Sequence, residues 1–130
     1  MIVVDASAAI ELLLHGSRAV WVADRVFHPD VVLHAPHLID LEVSNVLRRV
    51  ERDDKVDVDR VGRAIEAFSA MTIVRHPHWS LLPRVWSLRH NVAAHDASYV
   101  ALAESLGATL LTCDRRLAAA ASRHVRVEAE

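Results

Sequence analysis

Four carboxylates, Asp5, Glu42, Asp96 and Asp114, stand where apolar runs give way to helix-forming segments or where helices begin. Asp5 ends the run Ile2 to Val4, Asp114 follows the run Thr109 to Thr112 and Cys113, and Glu42 and Asp96 fall in the first turns of helical segments. Anions gathered at an apolar sheet edge repel one another with little water to screen them, so such a cluster destabilises the fold until something positive enters. Oxygen ligands of this kind suit a hard divalent cation, Mg²⁺ or Mn²⁺, which keeps several waters and commonly binds through a few carboxylates plus a substrate phosphate. The chemistry that follows is hydrolysis of a phosphodiester, the cation generating or orienting hydroxide and offsetting charge on the phosphate and the leaving oxygen. Ser7 and Thr112 add hydroxyls at the same edge. The competing reading is structural, with Asp5 and Asp114 capping the helices that they precede.

Those roles need elements that bring distant residues together. Ile2 to Val4 reads as a strand buried on both faces, and Ser7 as the cap of a helix Ala8 to Leu14. Gly16 breaks the pattern, and Ser17 caps a second helix carrying Val20, Trp21, Ala23, Val26 and Phe27, which ends before Pro29. Val31 to Ala35 reads as the second strand. His37 to about Asp53 is the longest amphipathic helix, with Leu38, Leu41, Val46, Leu47 and Val50 as its apolar face and Glu42 and Asn45, three apart, sharing another. The charged stretch Glu51 to Asp59 leads to a helix marked by Val58, Val61, Ile65 and Phe68. Met71 to Val74 reads as the third strand, followed by a loop and a helix to about Arg89 with Pro83 in its first turn. A helix from near His95 to a glycine C-cap at Gly107 comes next, then a fourth strand, Thr109 to Thr112. A helix Arg115 to Ala121 capped by Asp114 and an edge strand Val125 to Val127 close the chain, with Glu128 to Glu130 frayed.

Strands alternating with helices predict one α/β domain over residues 1–130, a central, mainly parallel sheet of four to five short strands with helices on both faces. Right-handed crossovers put the carboxyl ends of parallel strands at one edge, which receives Asp5 and Asp114 directly and which Glu42 and Asp96 can approach.

The 130 residues are 52% hydrophobic with no long apolar run, which fits one core and excludes a membrane span. Asp5 and Glu11 interrupt the N-terminal segment, so no signal peptide is legible and a cytoplasmic location is expected. Cys113 is the only cysteine, which excludes an internal disulfide and a multi-cysteine zinc cluster. The nine histidines are scattered, and His76 and His78, on either side of Pro77, fall short of the three or four converging ligands that zinc needs. A net charge of −2 excludes nucleic-acid binding by bulk positive charge, so any such contact is local. Arg115 and Arg116 are the cations placed to take a substrate phosphate. Trp79 and Trp86 read as core or interface residues, and with Trp21 they are many large aromatics for so small a core.

Four blocks carry a resemblance that spans essentially the whole chain. Ile-Val-Val-Asp-Ala-Ser-Ala, Leu-Glu-Val-Ser-Asn-Val-Leu-Arg-Arg, His-Asp-Ala-Ser-Tyr-Val-Ala-Leu-Ala and Leu-Leu-Thr-Cys-Asp-Arg-Arg-Leu resemble, in order and spacing, those of PIN-domain ribonucleases, and in particular the VapC toxins of bacterial type II toxin-antitoxin pairs. The resemblance implies Mg²⁺ held principally by Asp5 and Asp96, with Glu42 and Asp114 completing the acidic site and positioning the attacking water or a second ion. Ser7, Asn45 and Thr112 would be accessory polar groups. It further implies endonucleolytic cleavage of RNA, a homodimer, and neutralisation by a VapB-type antitoxin whose tail occupies the acidic groove. His95 stands where related sequences often carry an aromatic or other residue, and no catalytic role is assigned to it.

Two other classes share an aspartate at the end of the first strand. A haloacid-dehalogenase-like phosphatase needs a second aspartate two residues on and a supporting lysine, whereas this chain has Ser7 there and its lone lysine, Lys55, in a charged connection. A response-regulator receiver meets the same shortage of lysine. A non-catalytic PIN-like scaffold that binds RNA or protein is the remaining alternative, and such proteins usually lack one or more of the acids.

Overall fold

Val3 and Val4 have no exposed surface, and the strand they form is the middle of a five-stranded parallel sheet ordered β3-β2-β1-β4-β5. The computed structural model describes residues 1–130. In chain order the elements are β1 (Ile2–Val4), α1 (Ala6–Leu13), α2 (Ala19–Val26), β2 (Leu33–Pro36), α3 (Leu38–Arg52), α4 (Val58–Ala70), β3 (Ile73–His76), α5 (Leu82–Ser87), α6 (Ala94–Leu106), β4 (Thr109–Thr112), α7 (Arg115–Ala121) and β5 (Val127–Ala129). A single 3₁₀ turn, Trp79–Leu81, precedes α5. Every neighbouring pair of strands is parallel, so both faces must be covered. Helices α1 to α4 pack against one another as one group, and α6 packs on α5 and across β1, β2 and β4.

Helix α6 has seven consecutive buried residues, Ala97 to Ala103, and so is apolar all round rather than amphipathic. Alanines and Ser98 supply the small side chains that let its backbone approach the sheet. Its end follows the expected glycine cap, with Gly107 at φ 61° in the left-handed conformation that glycine adopts without a Cβ clash.

Several boundaries differ from the sequence expectation. Strands β2 and β3 both start two residues later than the apolar runs suggest, and they pair with Leu33 opposite Ile73 and Pro36 opposite His76. Helix α4 runs through Ala70, and Met71 and Thr72 connect it to β3. Pro36 is tolerated because β1 pairs with β2 only as far as His34. Helix α3 is turned from the expected face: Ile39, Val43 and Leu47 are buried, while Leu41 is 68% exposed. Val58, expected to mark the buried face of α4, is exposed at its start. Strand β5 starts two residues later than expected and orders the tail, Glu128 pairing with Arg25 at 2.6 Å and Arg25 lying over the Trp21 ring.

Ser17 does not cap α2. The helix instead starts at Ala19, and the Arg18 amide donates to Glu11 Oε1 at 2.8 Å. Trp79 and Trp86 are 73% and 68% exposed, so neither belongs to the core. His76 ends β3 and pairs with His34, ring nitrogen to ring nitrogen at 2.9 Å. No helix is long and apolar enough to cross a membrane.

Candidate active site

The strand-to-helix turn after β1 is built on Asp5 itself. Asp5, not Ser7, is the N-cap of α1, accepting the Ala8 amide on Oδ1 at 2.9 Å, so the helix begins two residues earlier than the sequence suggests. Ser7 is thereby freed to point back, its hydroxyl donating to Asp5 Oδ1 at 2.7 Å. From the end of β4 the Thr112 hydroxyl donates to Asp5 Oδ2 at 2.6 Å. Each hydroxyl is held in turn by a backbone amide, Cys113 N–H donating to Ser7 Oγ and Asp114 N–H to Thr112 Oγ1, both at 2.9 Å. The two strand ends are thus tied through one carboxylate that has three donors and, with about four lone-pair sites on an ionised carboxylate, capacity left for a ligand.

Those donors favour the charged form, but burial outweighs them. Asp5 is 4% exposed, and desolvation pushes its pKa up to about 6, against the lowering by Thr112, Ala8 and Ser7. Asp114 adds a small further push in the same direction.

Asp96, in the first turn of α6, has no hydrogen bond and no ion pair. Half-burial raises its pKa and Asp114 raises it further, with His95 and Arg116 acting weakly the other way. Asp114 caps α7, its Oδ1 accepting the Arg116 and Leu117 amides at 2.8 and 3.2 Å. The capping reading is therefore correct for Asp5 and Asp114 as far as it goes. It leaves Asp96 unexplained, since that carboxylate caps nothing and its desolvation outweighs the attraction of His95 and Arg116.

Asp5, Glu42, Asp96 and Asp114 line one hollow of about 380 Å³, together with Ser7, Glu11, Arg18 and Tyr99. A second hollow of about 280 Å³ shares the Asp96 and Asp114 wall and adds Asn91 and Arg116. The largest cavity, about 720 Å³ and almost wholly apolar, is lined by residues such as Leu12, Phe27 and Met71 and by none of the four acids.

Of the accessory residues, Ser7 and Thr112 are in place, whereas Asn45 is exposed on α3 and lines neither acidic hollow. Arg116 reaches the second hollow and forms no salt bridge; Arg115 is exposed and lines neither. Three residues escaped the sequence reading. Tyr99, three after Asp96 and so on the same helix face, donates to Glu42 Oε1 at 2.5 Å. Glu11, six after Asp5, holds the start of α2, and Arg18 donates to the Cys113 carbonyl at 2.8 Å while approaching Glu11 at 3.5 Å. Neither pattern has a sequence signature beyond spacing, because each depends on elements meeting in three dimensions.

A hard divalent cation suits this donor set. The lining acids offer only oxygen, two of them are desolvated, and Asp96 has nothing positive bound to it. No three of the acids stand close enough together to make a finished coordination sphere, so the hollow is a site with the right donors rather than a closed cage.

Comparison with known proteins agrees with the geometry. The PIN domain family profile matches residues 2–122. Ribonuclease VapC9 of Mycobacterium tuberculosis is 42% identical over 119 residues, spanning 90% of this chain and 88% of that protein. Ribonuclease VapC1 of the same species is 41% identical over 119 residues, spanning 91% and 89%. Among solved structures, PAE2754 from Pyrobaculum aerophilum superposes with a TM-score of 0.70 at 28% identity, covering 97% of this chain and 82% of that one.

Proposed function

The chain belongs to the PIN-domain family, among its VapC ribonucleases, and on that premise we propose that it is a toxin endoribonuclease hydrolysing RNA at the hollow between β1, α3, α6 and β4. The observation that carries the reading is Asp96, a half-buried carboxylate with no hydrogen bond or salt bridge, lining one hollow with Asp5, a carboxylate clamped by three donors. A non-catalytic scaffold would have no use for that expense.

Asp5 and Asp96 would hold Mg²⁺ or Mn²⁺, with Glu42 and Asp114 completing the set. Bound there, the cation would activate water and offset charge growing on the phosphate oxygens. The rest of the work falls to the chain. Ser7 and Thr112 fix the orientation of Asp5 so that it need not reorganise during reaction. Above a pH of about 6 Asp5 is ionised and able to ligate. Arg116, free of any acid partner, is the cation available to the substrate phosphate, and the hollow it lines lies directly beside the acids.

The partners follow from the family. An antitoxin of the VapB type would silence the site by placing its tail in the acidic hollow, and the exposed Phe27 and Val32 near the large apolar cavity give a protein partner surface to cover. A homodimer in the cytoplasm completes the proposal, with the exposed Trp79 and Trp86, the latter under the Arg89 guanidinium, as aromatic surface for a second copy to bury. The direct test is cleavage of single-stranded or loop RNA by purified protein. Cleavage should require Mg²⁺ or Mn²⁺ and stop in EDTA, and undiminished cleavage in excess EDTA would overturn the reading.

A further inference from the structure

Around Asp5 two hydroxyls orient a carboxylate, and in the same hollow a third hydroxyl orients a second carboxylate, that of Glu42. The Tyr99 hydroxyl donates to Glu42 Oε1 at 2.5 Å. Tyr99 is 1% exposed and Glu42 is half-buried, and both line the hollow with Asp5 and Asp96. Glu42 has no other hydrogen bond, so this single contact decides where its carboxylate lies.

We infer that Tyr99 is a positioning residue for the reaction, its hydroxyl holding one oxygen of Glu42 and leaving the other for the ligand of the hollow. The inference rests on the proposed role of Glu42 in the acidic site. A long glutamate side chain on the first turns of α3 has several rotamers, and an untethered one would have to be ordered each time a cation or substrate entered. Tethered, it is already in place, as the outer partners of metal-ligating carboxylates commonly arrange. The bland role for Tyr99, an aromatic core filler whose hydroxyl happens to need a partner, predicts no effect on cation affinity.

Tyr99→Phe removes one oxygen and keeps the ring among its neighbours. The variant should fold, with kcat lowered and the Mg²⁺ concentration for half-maximal cleavage raised by about 10–100-fold, the range seen when an outer partner is removed. Glu42→Gln should be inactive or nearly so, and adding Tyr99→Phe to it should cost nothing further if both act as one unit. A readout without turnover is available because Tyr99 is the only tyrosine. Protein labelled with 3-fluorotyrosine should give one ¹⁹F resonance that moves in metal-free Glu42→Gln and moves in the parent when Mg²⁺ is added.

A Tyr99→Phe enzyme with the parent's kcat and Mg²⁺ dependence, beside an inactive Glu42→Gln, would overturn this inference and leave the proposed site intact. So would a ¹⁹F resonance indifferent to both Glu42→Gln and Mg²⁺, which decides the matter even if Tyr99→Phe fails to fold. Losses that add in the double variant would show Tyr99 acting apart from Glu42 and overturn it as well. Full activity in Glu42→Gln would remove Glu42 from the site and take both the site assignment and the inference with it.

Discussion

The Thr112 hydroxyl donates to Asp5 Oδ2 at 2.6 Å while its oxygen accepts the Asp114 amide at 2.9 Å, so one side chain links two of the four acids. Thr112 has no exposed surface, and the loss of its hydroxyl cannot be made good by solvent. Thr112→Val should destabilise the fold by about 1–3 kcal/mol, the cost of leaving buried partners unpaired. It also removes the largest influence lowering the Asp5 pKa, so the acid limb of the cleavage profile should move to higher pH. Urea unfolding and a pH–rate profile check the two effects.

The metal-free protein should lose stability as pH rises from about 4 to about 6. Burial gives Asp5 a folded pKa of about 6, above its unfolded value, so the folded state binds the proton more tightly. The contribution is fully present below the unfolded pKa and lost as pH rises through the folded one, with an upper bound on the order of 3 kcal/mol for a shift of about two units. Asp5→Asn, which still caps a helix, should flatten that part of the profile. Thermal melts from pH 4 to 8 in EDTA test it; parallel curves for parent and variant would contradict the assignment.

Much of this site was legible because its parts are local. Asp5, Asp96 and Asp114 sit at strand and helix ends whose apolar runs and capping residues mark themselves in the sequence, and β4, α7 and the Gly107 cap fall where the pattern puts them. What was misread depends on contacts between distant segments. The register of β2 and β3 is set by their pairing with each other, and the buried face of α3 by its packing on α1 and α4. The Ser7 hydroxyl looks like a cap until Thr112, 105 residues away, is seen at 3.2 Å from it. Tyr99 carries no signal of its own in the sequence, because its contact depends on Glu42 arriving from α3.

Gly16→Ala probes the Glu11 contact at the start of α2. A Cβ there would lie 2.2 Å from Glu11 Oε1, so the carboxylate must leave the Arg18 amide that it now accepts. The expected cost is about 1 kcal/mol, that of a lost helix cap. Glu11→Ala should lower the melting temperature similarly, and the double variant should be no worse than either alone.

Light scattering at micromolar concentration should give twice the 14.4 kDa chain mass. Trp79, Leu82 and Trp86 are exposed at helical spacing, and replacing both tryptophans with serine should favour the monomer. A parent that is monomeric throughout would contradict the dimer.

Asp96→Asn tests the central claim most directly, because Asp96 makes no hydrogen bond, salt bridge or helix cap that the change would break. In EDTA the variant should be as stable as the parent or more so, since a desolvated charge beside Asp114 has been removed. With Mg²⁺ the parent should gain about 2.7 kcal/mol at a hundredfold excess over the dissociation constant. The variant should gain much less and should not cleave RNA. An Asp96→Asn protein that cleaves RNA and keeps the full Mg²⁺-dependent rise in melting temperature would contradict the account.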